Sequence, residues 1–323
     1  MHLELPPMRP MDLDPTYVPY LQDLLAGRSV PIHLDDPQLR RARFAAARRP
    51  QTATDPPGVR LTHHRVDAGT HAIAVRVYRP TQPAHRPGGI VYLHGGGWMY
   101  GSAEQSEPIA ARYCREVGAV VVSPDYRLTP EHPFPAGFDD CFAVLRWFVE
   151  TAASFGFDSD RVAITGESSG ANLAAACAIE ARDQSGPALR LQVLHYPALD
   201  VDFATASYRE NEHAPVLSAA EMRYFWSQYL PDGPHGADDR ALPLRADLHG
   251  VAPALITTAE YDPLRDDGIA YVERLRQAGV PVDHLTASRL PHGFLRAWAV
   301  SEDVAHIGEA VVHAFRRHLE PAR

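Results

Sequence analysis

The sequence predicts an α/β protein with a doubly wound, mostly parallel sheet of about eight strands and helices on both faces. From residue 89 onward, short runs of β-branched and apolar residues alternate with longer stretches that fit helices. This alternation is typical of consecutive strand–helix units in a parallel sheet. Two runs with alternating apolar and polar residues precede it, as expected for an antiparallel pair at a sheet edge. The 323 residues, 45% of them hydrophobic, can bury the core of one large domain.

The first 50 residues are rich in proline and contain two predicted helices, at 17–26 and 36–49. We predict that residues 1–50 contribute N-terminal helices to a cap. A turn-rich linker then leads into the main domain, which we place at residues 51–323.

The main domain contains eight predicted strands and five predicted helices that separate or follow them. In the second strand, Ile73, Val75 and Val77 alternate with Ala74 and Arg76, so one face is expected to be buried. The later strands are short continuous apolar runs, as expected where both faces of a sheet are covered. The strands are predicted at 61–66, 72–78, 89–94, 119–124, 162–166, 191–196, 254–259 and 280–287. The helices are predicted at 103–117, 137–155, 169–182, 267–278 and 304–318.

Residues 199–247 interrupt this alternation and are predicted to contribute to the cap. Ser218 and Glu221 form a capping box, which predicts the start of a helix. Tyr224 and Trp226 follow in an aromatic-rich stretch. Their spacing fits two interpretations, a surface helix packed on the domain or a lid that lines a pocket.

A candidate nucleophile lies in the pentapeptide Gly-Glu-Ser-Ser-Gly at 166–170, directly after a predicted strand and before an alanine-rich predicted helix. A serine between glycines in this strand–turn–helix setting is typical of a nucleophile elbow, which exposes the hydroxyl above the sheet. Glycines at both ends allow the strand and helix to approach closely. Ser168 is therefore the candidate nucleophile.

A glycine run, His-Gly-Gly-Gly-Trp at 94–98, ends the predicted strand 89–94. Three consecutive glycines leave backbone N–H groups that can donate to a developing oxyanion. In such sites the residue after the nucleophile, here Ser169, supplies another N–H donor. A flexible loop or a phosphate cradle is the alternative, but the spacing does not fit the dinucleotide-binding fingerprint. Trp98 and Tyr100 are predicted to be either pocket walls or core.

The candidate acid is Asp262, which lies just past the predicted strand 254–259. The proline after it disfavours a helical conformation, so the aspartate is expected in a loop at the carboxyl end of the sheet. Glu260 is the alternative acid. Asp266 and Asp267 lie where the next helix is predicted to begin, and their simpler roles are helix capping and compensation of the helix dipole.

The candidate base is His292, because the expected chain order is nucleophile, acid, histidine. Five histidines follow Asp262, and only His292 lies in a predicted loop, between the last strand and the last helix. The other four are predicted to be surface or packing residues: His284, His306, His313 and His318.

These residues belong to five motifs whose order resembles that of the hormone-sensitive-lipase-like family of α/β-hydrolase esterases, over about residues 59–318. The motifs are His-Gly-Gly-Gly at 94–97, Tyr-Arg-Leu-Thr-Pro-Glu-His-Pro-Phe-Pro-Ala at 126–136, Gly-Glu-Ser-Ser-Gly at 166–170, Asp-Pro-Leu-Arg-Asp at 262–266 and His-Gly-Phe at 292–294.

The resemblance implies an α/β-hydrolase fold and hydrolysis of carboxylic esters by a triad of Ser168, Asp262 and His292. It also implies an oxyanion hole formed by the N–H groups of three residues, Gly96, Gly97 and Ser169. Finally, it favours a lid role for residues 199–247. The pocket candidates are then Trp98, Tyr100, Tyr224 and Trp226.

The elbow departs from the common family pattern. Aspartate is common before the serine and alanine after it, whereas this chain has Glu167 and Ser169. Thr129 and Ala171 stand where the family usually has alanine and often glycine, respectively. No catalytic group is lost, since Ser169 still supplies its backbone N–H.

Composition excludes several other classes of protein. The net charge of −9 and the absence of a basic stripe argue against a nucleic-acid partner. The chain has no lysine, which rules out Schiff-base, Walker-A and Ser-x-x-Lys mechanisms. Its three cysteines, without a Cys-x-x-Cys pair, predict no zinc or redox site and suit a reducing cytoplasm. We expect neither a signal peptide nor a membrane span, because residues 1–20 contain no apolar h-region and no apolar run approaches 18 residues.

We therefore expect a cytoplasmic enzyme that acts on a small-molecule ester, needs no cofactor or metal and contacts no membrane. The preferred acyl groups are predicted to be short to medium in length. A homodimer is compatible with the sequence. The alternatives are an amidase or lactonase on the same fold and a non-catalytic binding protein, although binders that resemble these esterases lack the triad histidine.

Overall fold

The computed structural model describes residues 11–26, 38–39, 41–42, 56–83, 86–235 and 238–320. Eight strands lie within these residues. They are β1 (Val59–Asp67), β2 (Ala72–Pro80), β3 (Gly89–Leu93), β4 (Val120–Pro124), β5 (Val162–Glu167), β6 (Leu189–His195), β7 (Ala254–Tyr261) and β8 (Val282–Pro291).

The strands form one sheet in the order β1-β2-β4-β3-β5-β6-β7-β8. β2 pairs antiparallel with β1 and β4, and the other neighbouring pairs are parallel. Every residue of β3, β4 and β5 is buried, as continuous apolar strands covered on both faces should be. The predicted architecture, a mostly parallel eight-stranded sheet in an α/β protein, is confirmed.

Helices cover both faces of the sheet. They are α1 (Val18–Ala26), α2 (Glu107–Val117), α3 (Ala136–Glu150), α4 (Ala152–Phe155), α5 (Ser169–Asp183), α6 (Ala206–Glu210), α7 (Ala219–Tyr229), α8 (Arg265–Gln277) and α9 (Glu302–Leu319). Buried side chains of α3, α5, α7 and α8 belong to one hydrophobic cluster. Those of α1, α2 and α9 belong to a second cluster on the other face.

The structure corrects three of the predicted element boundaries. The helix predicted at 137–155 is interrupted at Thr151, whose hydroxyl and backbone N–H both donate to Trp147 O (2.7 and 2.9 Å). The helix predicted at 103–117 begins only at Glu107, with a proline in its first turn, a position that suits proline. The last strand begins at Val282 and runs on to Pro291.

Most of the helix predicted at 36–49 lies outside the described residues. The four residues of it that are described, 38–39 and 41–42, are helical. The capping box predicted at Ser218 and Glu221 is confirmed at the start of α7. In the described part of the chain, none of the helices combines the length and the apolar character needed to cross a bilayer.

The strand register aligns the carboxyl ends of the central strands. Leu93 of β3 lies opposite Gly166 of β5, and Glu167 lies opposite His195 of β6. The glycine run and the serine therefore emerge side by side at one edge of the sheet. The acid and histidine loops, which follow β7 and β8, emerge at the same edge.

Candidate active site

Ser168 occupies a sharp turn between β5 and α5. Its φ of 58° and ψ of −120° are strained for a residue with a side chain. The turn can approach β3 closely because Gly170 has no Cβ. A Cβ at this position would lie 2.2 Å from Leu93 O. The Ser168 N–H donates to His195 O (2.9 Å). These contacts fix the backbone from which the hydroxyl projects.

A line of hydrogen bonds joins the three predicted triad residues. His292 Nε2 lies 2.9 Å from Ser168 Oγ, and His292 Nδ1 lies 2.7 Å from Asp262 Oδ2. An ionised carboxylate only accepts hydrogen bonds, so Nδ1 carries the hydrogen and Nε2 is left to accept from the serine hydroxyl. Asp262 is fully buried, and Ser168 is 9% and His292 7% exposed. The structure thus brings together the candidate nucleophile, the candidate base and the candidate acid at the sheet edge.

Glu260, the alternative acid, points elsewhere. Its Oε2 accepts the backbone N–H of Arg289 (2.8 Å), close in sequence to His292. Of the alternative histidines, His284 bonds to Thr258 on the neighbouring strand (2.9 Å), and the other three lie on α9. None of them is bonded to Ser168.

The loop that carries Asp262 is held by the segment after β6. Asn211 Nδ2 donates to Asp262 O (3.2 Å), and the Ser207 hydroxyl donates to Pro263 O (2.7 Å). The Asp262 Oδ1 atom, not used by the histidine, accepts the Leu264 N–H (2.9 Å). The position of the carboxylate therefore depends on α6 as well as on its own loop.

The prediction that Asp266 and Asp267 cap α8 is wrong. Asp266 accepts the N–H of Ser207 (2.7 Å), and Asp267 accepts that of Leu199 (2.9 Å). Both carboxylates thus bind backbone groups of the segment after β6, while α8 has no side-chain cap. Burial raises the pKa of Asp267 well above its usual range. Both residues still lie in the first turn of α8, the position predicted for compensation of the helix dipole.

The glycine run forms a turn beside Ser168. The N–H groups of Met99 and Tyr100 donate to Gly96 O (3.2 and 2.9 Å). Gly97 has a φ of 60°, a conformation that favours glycine. No acceptor among the described residues binds the N–H groups of Gly96, Gly97 or Ser169. These three donors are available to a bound molecule.

Helix α7 packs directly on this turn. Trp98 stacks on Tyr229 with ring centroids 4.3 Å apart and an interplanar angle of 7°, and Trp226 lies 4.5 Å from Trp98. Tyr100 contacts Phe225 edge-on at 5.9 Å. Of the four pocket candidates, Trp98, Tyr100 and Trp226 are buried in this contact, and Tyr224 is half-exposed. That these four side chains line a substrate pocket stays a prediction.

Phe225, which is not among the four pocket candidates, lies directly against the turn. A Cβ on Gly97 would lie only 2.4 Å from its ring. The sequence does carry a signal for Phe225. This residue shares helical spacing with Met222, Trp226 and Tyr229, and these four residues form the buried apolar face of α7. Tyr224 lies off that face.

Arg41, in the described piece of the N-terminal segment, also binds this region. Its Nε donates to Met99 O (2.7 Å) and its Nη2 to Thr129 O (2.6 Å). Both Nη atoms bind Glu131 (2.7 Å each). The Thr129 hydroxyl, which the family's usual alanine lacks, donates to Gln228 O of α7 (2.7 Å). Arg41 and α7, which belong to two parts of the predicted cap, are therefore attached to the glycine turn and to the segment 129–131.

A fully buried histidine, His195, lies beneath the elbow. Its Nε2 is 2.8 Å from the Tyr113 hydroxyl, and its Nδ1 is 3.1 Å from Thr257 Oγ1. Burial lowers the pKa of His195 to about 4. The imidazole therefore stays neutral in the folded protein at mildly acidic pH.

We expect His195 to make the free energy of unfolding fall with acid. The unfolded chain protonates a histidine below about pH 6.5, whereas the folded chain resists protonation down to about pH 4. The contribution of neutral His195 to the free energy of unfolding is therefore complete above about pH 6.5. Between that pH and about pH 4, roughly 3 kcal/mol of it is lost. Urea unfolding of the wild type and of His195→Gln at pH 7, 5.5 and 4.5 measures the difference.

The glutamine should give a shallower loss of stability with acid. His313→Gln, at an exposed position of α9, is the matched control and should keep the wild-type slope. Equal acid slopes in His195→Gln and the wild type would contradict the assignment.

Within the described residues, no three His, Cys, Asp or Glu side chains are grouped as metal ligands. The groups that converge on this edge of the sheet are a hydroxyl bonded to an imidazole, a buried carboxylate and three free N–H donors. Such an arrangement can attack a carbonyl carbon and bind the resulting oxyanion.

Comparisons with known proteins agree with this chemistry. Residues 90–296 match a family model described as alpha/beta hydrolase fold. The chain is similar to carboxylesterase NlhH of Mycobacterium tuberculosis, with 42% identity over 85% of this chain and 89% of the relative. It is 33% identical to ethyl acetate hydrolase of Pseudomonas putida over 96% of this chain and all of the relative. The hyperthermophilic esterase of Pyrobaculum calidifontis superposes with a TM-score of 0.86 at 33% identity, over 95% of this chain and 99% of that one.

Proposed function

The chain belongs to the hormone-sensitive-lipase-like carboxylesterases of the α/β-hydrolase fold, and from this premise we propose that it cleaves short- to medium-chain esters through an acyl-enzyme. The observation that carries the proposal is the line of hydrogen bonds from Asp262 through His292 to Ser168. This line ends at the Ser168 hydroxyl, and the free N–H groups of Gly96, Gly97 and Ser169 lie in the turns that adjoin it.

In the first half of the reaction, Ser168 Oγ attacks the ester carbonyl carbon and its proton passes to His292 Nε2. The negative charge that develops on the carbonyl oxygen accepts hydrogen bonds from the N–H groups of Gly96, Gly97 and Ser169. When the tetrahedral intermediate collapses, the C–O bond to the alcohol breaks and His292 protonates the leaving alcohol. The acyl group remains on Ser168 as an ester.

In the second half, water replaces the alcohol. His292 takes a proton from the water, whose oxygen attacks the acyl carbon, and then returns the proton to Ser168 Oγ as the acid leaves. Asp262 accepts the Nδ1–H throughout, which keeps the correct ring nitrogen towards the serine and stabilises the imidazolium. Its complete burial strengthens this interaction, because the local dielectric constant is low.

The proposed acyl preference rests on the aromatic side chains above the glycine turn. A carbonyl oxygen bound by Gly96 and Gly97 brings the acyl carbons close to α7. Trp98 and Trp226 are in contact there, and the Phe225 ring lies against Gly97, so these bulky side chains leave room for a short chain. A relative named ethyl acetate hydrolase acts, by its name, on an ester of this kind.

We expect kcat/KM to rise with acyl length only up to a limit between roughly two and eight carbons. Each added methylene contributes about 0.8 kcal/mol while it is buried in free space, and overpacking reverses the gain once the space is full. The measurement is kcat/KM for one chromogenic alcohol esterified with acetate, butyrate, hexanoate, octanoate, laurate and palmitate.

A Phe225→Ala variant is the matched comparison, and its optimum should move to longer chains. A wild-type maximum at laurate or palmitate would contradict the proposed acyl preference. A protein that cleaves none of these esters would overturn the proposed function itself.

A further inference from the structure

Glu167, immediately before the proposed nucleophile, is a buried carboxylate that takes no part in the proton transfers described above. It is 2% exposed. Its Oε1 accepts from the Tyr92 hydroxyl (2.6 Å) and from Arg296 Nη2 (2.8 Å), and its Oε2 accepts from the Tyr196 hydroxyl (3.0 Å). A charge buried in this way is tolerated only with such partners.

Each partner comes from a segment that carries part of the site. Tyr92 lies in β3, the strand that leads into the glycine run. Arg296 lies in the 3-10 turn Phe294–Ala297, just past His292. Tyr196 follows β6 with a strained φ of 38°. Its ring meets the His292 imidazole edge-on, with centroids 4.8 Å apart and an interplanar angle of 63°.

The glycine run also touches Glu167 directly. A Cβ on Gly95 would lie 2.7 Å from Glu167 O and 3.2 Å from its Cγ. The residue before the nucleophile therefore supports the backbone that leads to the oxyanion donors. Glu167 is thus adjacent to Ser168 in the chain, binds Arg296 from the segment after His292, and contacts the start of the glycine run.

The charges and the burial around Glu167 keep its partners in the protonation states that donate hydrogen bonds. Burial and then the charge of Glu167 raise the pKa values of Tyr92 and Tyr196 well above their usual range, so both hydroxyls remain donors. Burial alone would lower the pKa of Arg296, but Glu167 and the nearby tyrosines raise it above its ordinary value. The guanidinium is therefore charged whenever the enzyme works.

We infer that Glu167 is a positioning residue, which aligns the His292 imidazole through Tyr196 and supports the oxyanion turn through Tyr92 and Gly95. The inference rests on the proposed function. Aspartate, the common residue at this position in the family, is one methylene shorter. The longer glutamate side chain extends its carboxylate further towards the two tyrosines and the arginine.

The first test is Tyr196→Phe, which removes the hydroxyl that reaches Glu167 and keeps the ring against His292. We expect kcat to fall about 10-fold, because a small misplacement of a catalytic group is costly. KM should stay within about twofold, and the labelling rate of Ser168 by a fluorophosphonate should fall in parallel with kcat. Tyr113→Phe is the matched control. It also removes a buried tyrosine hydroxyl, one that binds His195 rather than Glu167, and should keep the wild-type kcat.

The second test separates charge from stability. Glu167→Gln leaves Arg296 buried without its counter-ion and should lower both Tm and kcat. Glu167→Gln/Arg296→Met removes both charges and should restore most of Tm, while kcat stays at least about 5-fold low. Recovery of wild-type kcat in this pair, a wild-type kcat in Tyr196→Phe, or a change confined to KM would overturn the inference. A wild type that is neither labelled nor active would instead overturn the proposed function.

Discussion

Replacement of Ser168 by alanine is expected to lower kcat by at least about 10³-fold without unfolding the protein. The substitution removes the only oxygen that lies 2.9 Å from His292 Nε2 among the described residues. The free N–H donors and the binding surface stay in place, so some residual rate above the uncatalysed reaction should remain. The measurement is kcat on a butyrate ester, together with covalent labelling by a fluorophosphonate, which should disappear.

His292→Ala should cause a comparable loss, and the double variant should be little worse than either single variant. The two losses should not add, because the hydroxyl and the imidazole act as one unit. Ser169→Ala is the matched control for the adjacent serine. It keeps the backbone N–H proposed for the oxyanion and should retain most of the activity. A Ser168→Ala protein with wild-type turnover would exclude Ser168 as the nucleophile.

Gly97→Ala is expected to lower kcat by about 10²-fold or more. The new Cβ would lie 2.4 Å from the Phe225 ring, so either the turn or α7 must move. Movement of the turn displaces an N–H donor that must lie about 3 Å from the developing oxyanion. The loss should appear in kcat, because this interaction is strongest in the transition state.

The double variant Gly97→Ala/Phe225→Ala tests the cause, since it removes the ring that the new methyl group meets. Relative to Gly97→Ala, it should recover at least about 10-fold in kcat. Gly279→Ala is the control for backbone strain alone. Its φ is 70°, and no atom lies within 4 Å of the added Cβ. A Gly97→Ala enzyme with unchanged kcat would contradict the oxyanion assignment.

The sequence predicted those parts of the fold and site that have a local signal. Continuous apolar runs predicted the buried strands, and loop positions at strand ends selected Asp262 and His292, which the structure brings to within hydrogen-bond distance of one another. Interactions between distant residues left no such signal. Asp266 and Asp267 had the position of helix caps, yet they bind backbone groups of the segment after β6.

The partners of Glu167 were equally inaccessible to the sequence. They lie 75, 29 and 129 residues away along the chain, and no periodicity connects them. Phe225 is a different case, because the helical spacing of its buried neighbours could have identified it. Contacts such as those of Glu167 form only when distant segments of the chain pack together in the folded protein.

The attachment of α7 and Arg41 to the glycine turn has a consequence for engineering. Caps are natural modules to exchange between esterases when a new substrate range is wanted. Here the boundary of such a module cannot follow the chain segment 199–247, because Phe225 abuts Gly97, Gln228 binds Thr129 and Arg41 binds Met99. A graft that carries residues 94–100 and 128–131 together with the predicted cap segments should keep its turnover, whereas a graft of those segments alone should fold and lose it.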